Sequence, residues 1–264
     1  MRACHPDACA AVTVVAVLLG IAVGRSVGSL LLIGAAVLTG QVSIGWFNDY
    51  LDAPMDAAAA RQDKPVASGA ISRRAVAVAA VGAVVACVPL SLAVGWFPGA
   101  LHVVAVAWAW AYDVRLKSTA LSVVPYVVSF GLLPLFVVLG VNPHPPWWLP
   151  VAGGLLGGGA HFANVLPDLA ADAAAGIRGL PHRMGAAGSR WAAAGLLLGA
   201  SVVLLVGPSG HEVARAVLTG VSVVVLAAGL VVGRRDGSRA AFRAVLLVAL
   251  LAVTQLILAG ASLR

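Results

Sequence analysis

The sequence predicts an all-α, polytopic membrane protein, and two observations lead to this fold class. First, 61% of the 264 residues are hydrophobic and only 10% are charged, whereas about 25% of the residues in soluble domains are charged. Second, long apolar runs alternate with short charged segments, and no run has the alternating pattern of a barrel strand. Because lipid offers the backbone no hydrogen-bond partners, helices are the remaining way to cross it. We expect residues 1–264 to form a single transmembrane domain.

The apolar runs are long enough for about nine membrane spans, since a spanning helix needs about 20 residues. The first run is as short as the core of a signal peptide, but we keep it as a span because the tight turn that follows needs a helix on both sides. The predicted spans are Ala11–Gly24, Gly28–Phe47, Ala75–Gly95, Trp96–Tyr112, Ala120–Gly140, Trp147–Ala163, Ser189–Val206, Ala214–Gly233 and Phe242–Ala261.

The basic residues indicate how the spans are oriented. The formal charge is +7, but the Lys and Arg residues lie in short loops between apolar runs, so membrane topology explains them and no nucleic-acid partner is expected. If the amino terminus is inside, 14 of the 17 Lys and Arg residues lie on the inner side. The positive-inside rule therefore predicts a multi-pass protein of the cell membrane, surrounded by its lipids, with a cytoplasmic amino terminus.

Two acidic segments, after the second and sixth spans, repeat one pattern in a chain that has only ten acids. Each is an Asn followed by two Asp at intervals of four residues, which places all three side chains on one helix face. Asp49 adds a carboxylate to the first segment. The residues are Asn48, Asp52 and Asp56 in the first copy and Asn164, Asp168 and Asp172 in the second. We call these segments the first and second aspartate motifs; the orientation above places both in the cytoplasm.

The motifs predict a Mg²⁺ site that binds a diphosphate. Carboxylates at this spacing repel one another unless a cation lies between them, and oxygen ligands without Cys or paired His suit Mg²⁺ better than zinc. Mg²⁺ takes one or two carboxylates together with phosphate oxygens. A single copy could also be explained by the preference for acids at a helix N-terminus, but two matching copies favour the metal site.

Basic and aromatic residues accompany the acids. Metal, Lys and Arg together would stabilise the charge that develops on a leaving diphosphate. Aromatic side chains gather at the same ends of the second, fourth and sixth spans, where they could shelter a carbocation or form an ordinary interfacial belt. His161 could orient the site, although a packed histidine is the simpler interpretation. The cations near the motifs are Arg61, Lys64, Arg115, Lys117, Arg178 and Arg183.

These motifs resemble those of the UbiA superfamily of intramembrane prenyltransferases, which carry Asn-Asp-x2-Asp-x3-Asp after the second helix and Asp-x3-Asp after the sixth. The flanks are also similar: Lys64-Pro65-x3-Gly69 resembles a basic-Pro-x3-Gly segment, and Tyr112-x4-Lys117 resembles the family's Tyr-x4-Lys loop. The resemblance covers nearly the whole chain. It departs at Lys64, where Arg is frequent, and at Gly179, where many members have Thr.

The resemblance implies nine helices around a central cavity, Mg²⁺ bound by both motifs, and an isoprenyl diphosphate bound through the metal. Its ionisation would give an allylic cation that alkylates a lipophilic acceptor, commonly an aromatic ring. Lys117, Tyr112, Arg61 and Lys64 are expected to act in catalysis. By position, the implied metal ligands are Asn48, Asp52, Asp56, Asp168 and Asp172, assisted by Asp49, with Asn164 added by the repeat. The implied diphosphate ligands are Arg61, Lys64 and Lys117, and we expect Arg178 and Arg183, which follow the second motif, to bind the diphosphate as well.

Other functions remain open at this point. A terpene cyclase of the same fold would ionise the diphosphate without an acceptor, and some relatives use phosphoribosyl diphosphate as donor. A cation transporter would need ionisable residues near the bilayer midplane, whereas the acids here lie at helix ends beside Lys and Arg. The acceptor, the length of the prenyl chain and the oligomeric state are not evident from the sequence.

Overall fold

The computed structural model describes residues 6–58, 64–232 and 240–263, and these residues form helices without strands. A six-residue helix, Leu169–Ala174, lies in the sequence between two groups of long helices. Short 3₁₀ segments occupy Leu116–Ser118 and Ala261–Leu263. The α-helices are α1 (Pro6–Ala22), α2 (Val27–Ala58), α3 (Arg73–Val94), α4 (Trp96–Val114), α5 (Val124–Val138), α6 (Trp148–Val165), α7 (Leu169–Ala174), α8 (Leu180–Val206), α9 (Glu212–Val232) and α10 (Ala240–Gly260).

The all-α fold class is confirmed, and the nine long helices of the described chain follow the nine predicted spans in order. Five of them, α2, α3, α8, α9 and α10, are long and apolar enough to cross a membrane by length and hydropathy, and α1 and α5 are shorter apolar helices. The apolar core lies between α1, α2, α5, α6, α8 and α10, where Ile33, Phe136, Leu149 and Leu197 have no exposed surface.

Helix α2 continues beyond the predicted end of its span at Phe47 as far as Ala58, so the first aspartate motif is helical throughout. Pro54 lies within this helix, and its missing N–H leaves the carbonyl of Tyr50, four residues earlier, without a helical donor. Arg73 replaces that donor: its Nε donates to the Tyr50 carbonyl at 3.0 Å. The Arg73 guanidinium also lies 4.3 Å from the centre of the Tyr50 ring. The beginning of α3 is thereby attached to the motif.

The second aspartate motif is not on one continuous helix, so the prediction of a single helical stripe is wrong for this copy. Helix α6 ends at Val165, and Asp168 is the N-cap of α7. Between them lies Pro167, which has no N–H to continue the helix and clashes with the preceding turn. Asn164 therefore belongs to α6, and Asp172 belongs to α7.

Helix α8 begins at Leu180, nine residues before the predicted span at Ser189. Gly185 interrupts it with φ 70° and ψ 174°, a backbone conformation that only glycine adopts without strain. The interruption separates a short first turn from the long membrane helix.

Glycines in α6 allow α5 and α6 to approach closely, as small residues do at helix interfaces in membranes. A Cβ atom at Gly153 would lie 2.3 Å from the carbonyl oxygen of Phe130, and one at Gly157 would lie 2.4 Å from that of Tyr126. Because both neighbours are backbone atoms, they cannot move aside without shifting the helix. The contact sets the position of Tyr126 relative to His161 in α6.

We expect Gly157→Ala to lower the free energy of unfolding by about 1–3 kcal/mol, because the added methyl group pushes α5 away from α6. Gly195→Ala is the matched control: it also lies inside a helix, but a Cβ there meets no described atom within 4 Å. Thermal unfolding of the purified protein in one detergent would compare them. Equal melting temperatures for the two variants would contradict the packing described here.

Candidate active site

The first aspartate motif presents its carboxylates at the end of α2, with unequal exposure. The side chains of Asp49 and Asp52 are 2% and 19% exposed, and Asp56 is buried. Charges removed from water in this way destabilise the fold unless they are paired with opposite charges or hydrogen-bonded.

Two lysines supply opposite charges to this motif. Lys64 Nζ donates to Asp49 Oδ1 at 2.8 Å, and Lys117 Nζ donates to Asp52 Oδ1. Both lysines are largely enclosed, with side chains 13% and 15% exposed. The structure thus brings two predicted site cations onto the predicted carboxylates. Arg61, the third predicted cation of this group, lies outside the described residues.

Asp113 is a member of this cluster that the sequence reasoning missed. It lies near the end of α4 and is only 4% exposed. Asn48 Nδ2 donates to Asp113 Oδ1 at 3.1 Å and also to Asp52 Oδ2 at 3.0 Å. A signal was available, because Asp113 follows Tyr112 inside the Tyr-x4-Lys segment and is one of only ten acids in the chain.

The second aspartate motif is more open than the first. Asn164 and Asp168 are exposed, and Asp172 is partly exposed. His182 Nε2 lies 3.7 Å from Asp172 Oδ2, so the first turn of α8 packs against this motif.

The two arginines predicted to follow the second motif lie at the surface. Arg178 and Arg183 are both exposed, and Arg183 Nε donates to the Arg178 carbonyl at 3.0 Å. Neither is buried against the carboxylates in the way that the two lysines are. Their predicted role as diphosphate ligands stays a prediction.

Tyr112 lies next to Asp113, which accepts a hydrogen bond from Asn48 of the first motif. The Tyr112 ring meets His161 edge-on with centroids 5.7 Å apart, and His161 lies three residues before Asn164 of the second motif. Tyr126, from α5, lies 5.2 Å from the Tyr112 ring. The two motifs therefore meet at one end of the bundle, with an aromatic layer beside them.

The aromatic layer lies against the helix that carries Asn164 of the second motif. The Tyr126 ring lies 4.8 Å from that of His161, three residues before Asn164. His161, which is only 1% exposed, is a packed histidine, as the simpler interpretation expected. Tyr126 had no motif to mark it, although it is one of three tyrosines in the chain.

Ser122 attaches the loop that carries Lys117 to the segment that carries the second motif. Its hydroxyl is 3.1 Å from His161 Nε2 and accepts a hydrogen bond from the Leu180 N–H at 2.9 Å. Next to it, a Cβ atom at Gly179 would lie 2.5 Å from the Lys117 carbonyl oxygen. Because glycine has no Cβ atom, the two segments can touch at this position.

The polar groups at this end of the bundle suit a hard cation such as Mg²⁺. The candidate ligands are carboxylate and amide oxygens, and Asp49 Oδ2 is buried without a hydrogen-bond partner. No three His, Cys, Asp or Glu side chains lie close enough together to hold one ion within residues 6–58, 64–232 and 240–263. Carboxylate and amide oxygens suit Mg²⁺, which takes one or two carboxylates and completes its shell with water and phosphate oxygens.

We expect Gly179→Ala to separate the Lys117 loop from the second motif, because the added methyl group would overlap the Lys117 carbonyl. Hydrogen–deuterium exchange should then become faster in residues 114–123 and 177–184. Gly195→Ala, which introduces the same methyl group without a contact, should leave both segments unchanged. Unaltered exchange in Gly179→Ala would show that the two segments do not depend on this contact.

Fold and site together define a helical membrane protein in which two aspartate motifs meet at one end of the bundle. The chain belongs to the UbiA prenyltransferase family, whose model matches residues 9–251.

Among known proteins, the chain is 31% identical over 176 residues to the digeranylgeranylglyceryl phosphate synthase of Methanopyrus kandleri. The match covers 63% of this chain and 64% of the relative, so the chain matches just under two thirds of the length of that protein.

Solved structures share the fold over nearly the full length. A UbiA homolog from Archaeoglobus fulgidus bound to DMAPP and Mg²⁺ superposes with a TM-score of 0.73 and 14% identity, covering 97% of this chain and 98% of that chain. The apo structure of a UbiA homolog from Aeropyrum pernix K1 gives a TM-score of 0.72 and 16% identity, covering 93% and 96%.

Proposed function

We propose that the protein transfers a prenyl group from an isoprenyl diphosphate to a lipophilic acceptor within the membrane, with Mg²⁺ as its cofactor. The observation that carries this proposal is the meeting of the two motifs at the end of α4: Asp113 accepts a hydrogen bond from Asn48 of the first motif, and the Tyr112 ring lies against His161, three residues before Asn164 of the second. Family membership supports it, as do structures of a homolog bound to DMAPP or GPP with Mg²⁺.

In this proposal the oxygens of both motifs hold Mg²⁺. When bound, Mg²⁺ would neutralise negative charge on the diphosphate and so make it a better leaving group. The proposed ligands are Asn48, Asp49, Asp52 and Asp56 of the first motif and Asn164, Asp168 and Asp172 of the second.

Lys64 and Lys117 would bind the diphosphate directly. Each already lies on a carboxylate of the first motif, and a long flexible ammonium side chain can turn from a carboxylate to a nearby phosphate oxygen. Their charge would stabilise the diphosphate as it departs. Arg61 is proposed for the same role from its sequence position alone.

The reaction breaks the bond between the allylic carbon and the diphosphate oxygen, and the electron pair leaves with the diphosphate. A nucleophilic atom of the acceptor then bonds to the allylic carbon and loses its proton. Tyr112 and Tyr126 are suited to the cationic stage, because aromatic faces attract positive charge and both rings lie beside the motifs.

The acceptor can be either of two classes. The resemblance at the level of motifs favours an aromatic ring, whereas the relative from Methanopyrus kandleri is named for a glyceryl phosphate product. We propose a location in the cell membrane with both motifs on the cytoplasmic side, because 14 of the 17 basic residues would then lie inside.

We expect Asp52→Asn and Asp168→Asn each to lower the rate of diphosphate release by about 100-fold or more, because each removes a charge that binds the metal. Release from geranyl, farnesyl and geranylgeranyl diphosphates would be measured with Mg²⁺ or with a chelator. Glu212→Gln, which changes an acid on an exposed turn, is the control and should keep wild-type activity.

The acceptor requirement separates the remaining functions. Release that depends on an aromatic compound or on a prenylated glyceryl phosphate supports prenyl transfer and identifies the acceptor class. Release without an acceptor, accompanied by a hydrocarbon or terpene alcohol, would instead indicate a cyclase. No release from any donor, together with cation flux in vesicles that Asp52→Asn abolishes, would indicate a transporter and contradict the proposal.

We expect Lys117→Met to lower the rate at least about tenfold and to raise KM for the donor, because a charge-assisted hydrogen bond contributes about 1.5–3 kcal/mol. Arg115→Met is the matched control, since Arg115 lies in the same loop but is exposed. Steady-state kinetics with one donor would compare the two. Similar losses in both variants would mean that Lys117 has no special role.

A further inference from the structure

Asp113 is a buried carboxylate to which neither aspartate motif assigns a role. It is 4% exposed, and its Oδ2 atom is buried without a hydrogen-bond partner. Its other oxygen, Oδ1, accepts a hydrogen bond from Asn48 Nδ2 at 3.1 Å. A carboxylate in such a place destabilises the protein by itself, so its presence suggests a function for the contact with Asn48.

The Asn48 side chain has two N–H donors and one carbonyl oxygen. Its nitrogen lies within hydrogen-bonding distance of Asp52 Oδ2, at 3.0 Å, and of Asp113 Oδ1. Because carboxylates only accept hydrogen bonds, both of them face the nitrogen end of the amide. The amide oxygen consequently points away from the two carboxylates and keeps its lone pairs for another partner.

One hydrogen bond would not hold the amide in this orientation. Asp52 is on the same helix as Asn48, is partly exposed, and is also bonded by Lys117. Asp113 approaches from a different helix, α4, and is enclosed. Rotation of the amide by 180° would point its oxygen at the Asp113 carboxylate, which is repulsive. Asp113 therefore excludes the flipped orientation.

We propose that Asp113 is a positioning residue: it holds the amide of Asn48 so that the amide oxygen faces the divalent cation. The inference rests on the proposed function, since it assigns a support to one of the proposed metal ligands. Residues that orient a metal ligand without touching the metal typically change metal affinity about 10–100-fold when they are removed.

The test is Mn²⁺ binding by the purified full-length protein in nanodiscs, followed by electron paramagnetic resonance. We expect Asp113→Ala to weaken Mn²⁺ binding about 10–100-fold. Asp113→Asn keeps an oxygen acceptor and should stay close to the wild type. Asp7→Asn is the matched control, since Asp7 is exposed in the first turn of α1. Melting temperatures measured in parallel separate a change in the site from a loss of fold.

A double-mutant cycle decides whether Asp113 acts through Asn48. Asn48→Ala should weaken Mn²⁺ binding at least as much as Asp113→Ala, and adding Asp113→Ala to it should cause no further loss. Full additivity of the two effects would overturn the inference, as would wild-type affinity in Asp113→Ala. A loss in Asp113→Asn as large as that in Asp113→Ala would also overturn it, because charge rather than orientation would then be the cause.

Asp52→Asn separates this inference from the function on which it rests. If Asp52→Asn weakens Mn²⁺ binding and Asp113→Ala does not, the metal site stands and only the role of Asp113 is wrong. If the wild type binds no Mn²⁺, or if Asp52→Asn binds it as the wild type does, both the proposed function and the inference fail.

Discussion

The structure depends on positive charge that offsets the buried carboxylates near the ends of α2 and α4. Asp49, Asp56 and Asp113 are all almost fully buried there, and like charges repel more strongly in a protein interior than in water. Lys64 offsets the charge of Asp49, 15 residues away, and Lys117 offsets that of the partly exposed Asp52, 65 residues away. Helix α2 must extend past the membrane span to present these acids, and the segments after α2 and α4 must return to it. Charge pairing thus attaches the segments after α2 and α4 to the first aspartate motif.

The segment that connects α4 to α5 links the two motifs. It carries Lys117, which binds the first motif, and Ser122, which binds the beginning of α8. Tyr112 lies in the last turn of α4, just before this segment, and its ring contacts His161 of α6. These contacts require the backbones to approach closely, and two glycines allow it. Gly157 lets α5, which carries Tyr126, pack against α6, and Gly179 lets the start of α8 lie against the Lys117 carbonyl. The small residues of this chain therefore serve both helix packing and the geometry of the site.

Much of this could be predicted from the sequence, because apolar length and four-residue spacing are local signals. The nine long helices and the helical first motif follow from them. The second motif differs because Pro167 ends the helix, a local effect that the matching spacing concealed. Asp113 was missed for another reason. It belongs to no repeat, and it meets Asn48 across 65 residues, so only the packing of α4 against α2 reveals it. Tyr126 likewise becomes recognisable only when α5 and α6 are brought together.

The basic residues near the first motif have two explanations that turn out to be compatible. The positive-inside rule offers one explanation, which concerns their predicted side of the membrane. Yet Arg73 donates to the carbonyl that Pro54 leaves without a helical donor, while Lys64 and Lys117 bind the carboxylates. The proposed topology places cations on this face of the bundle, and the charged and polar end of α2 requires donors at the same place. A helix that ends in acids and contains a proline is therefore stable here because these cations lie against it.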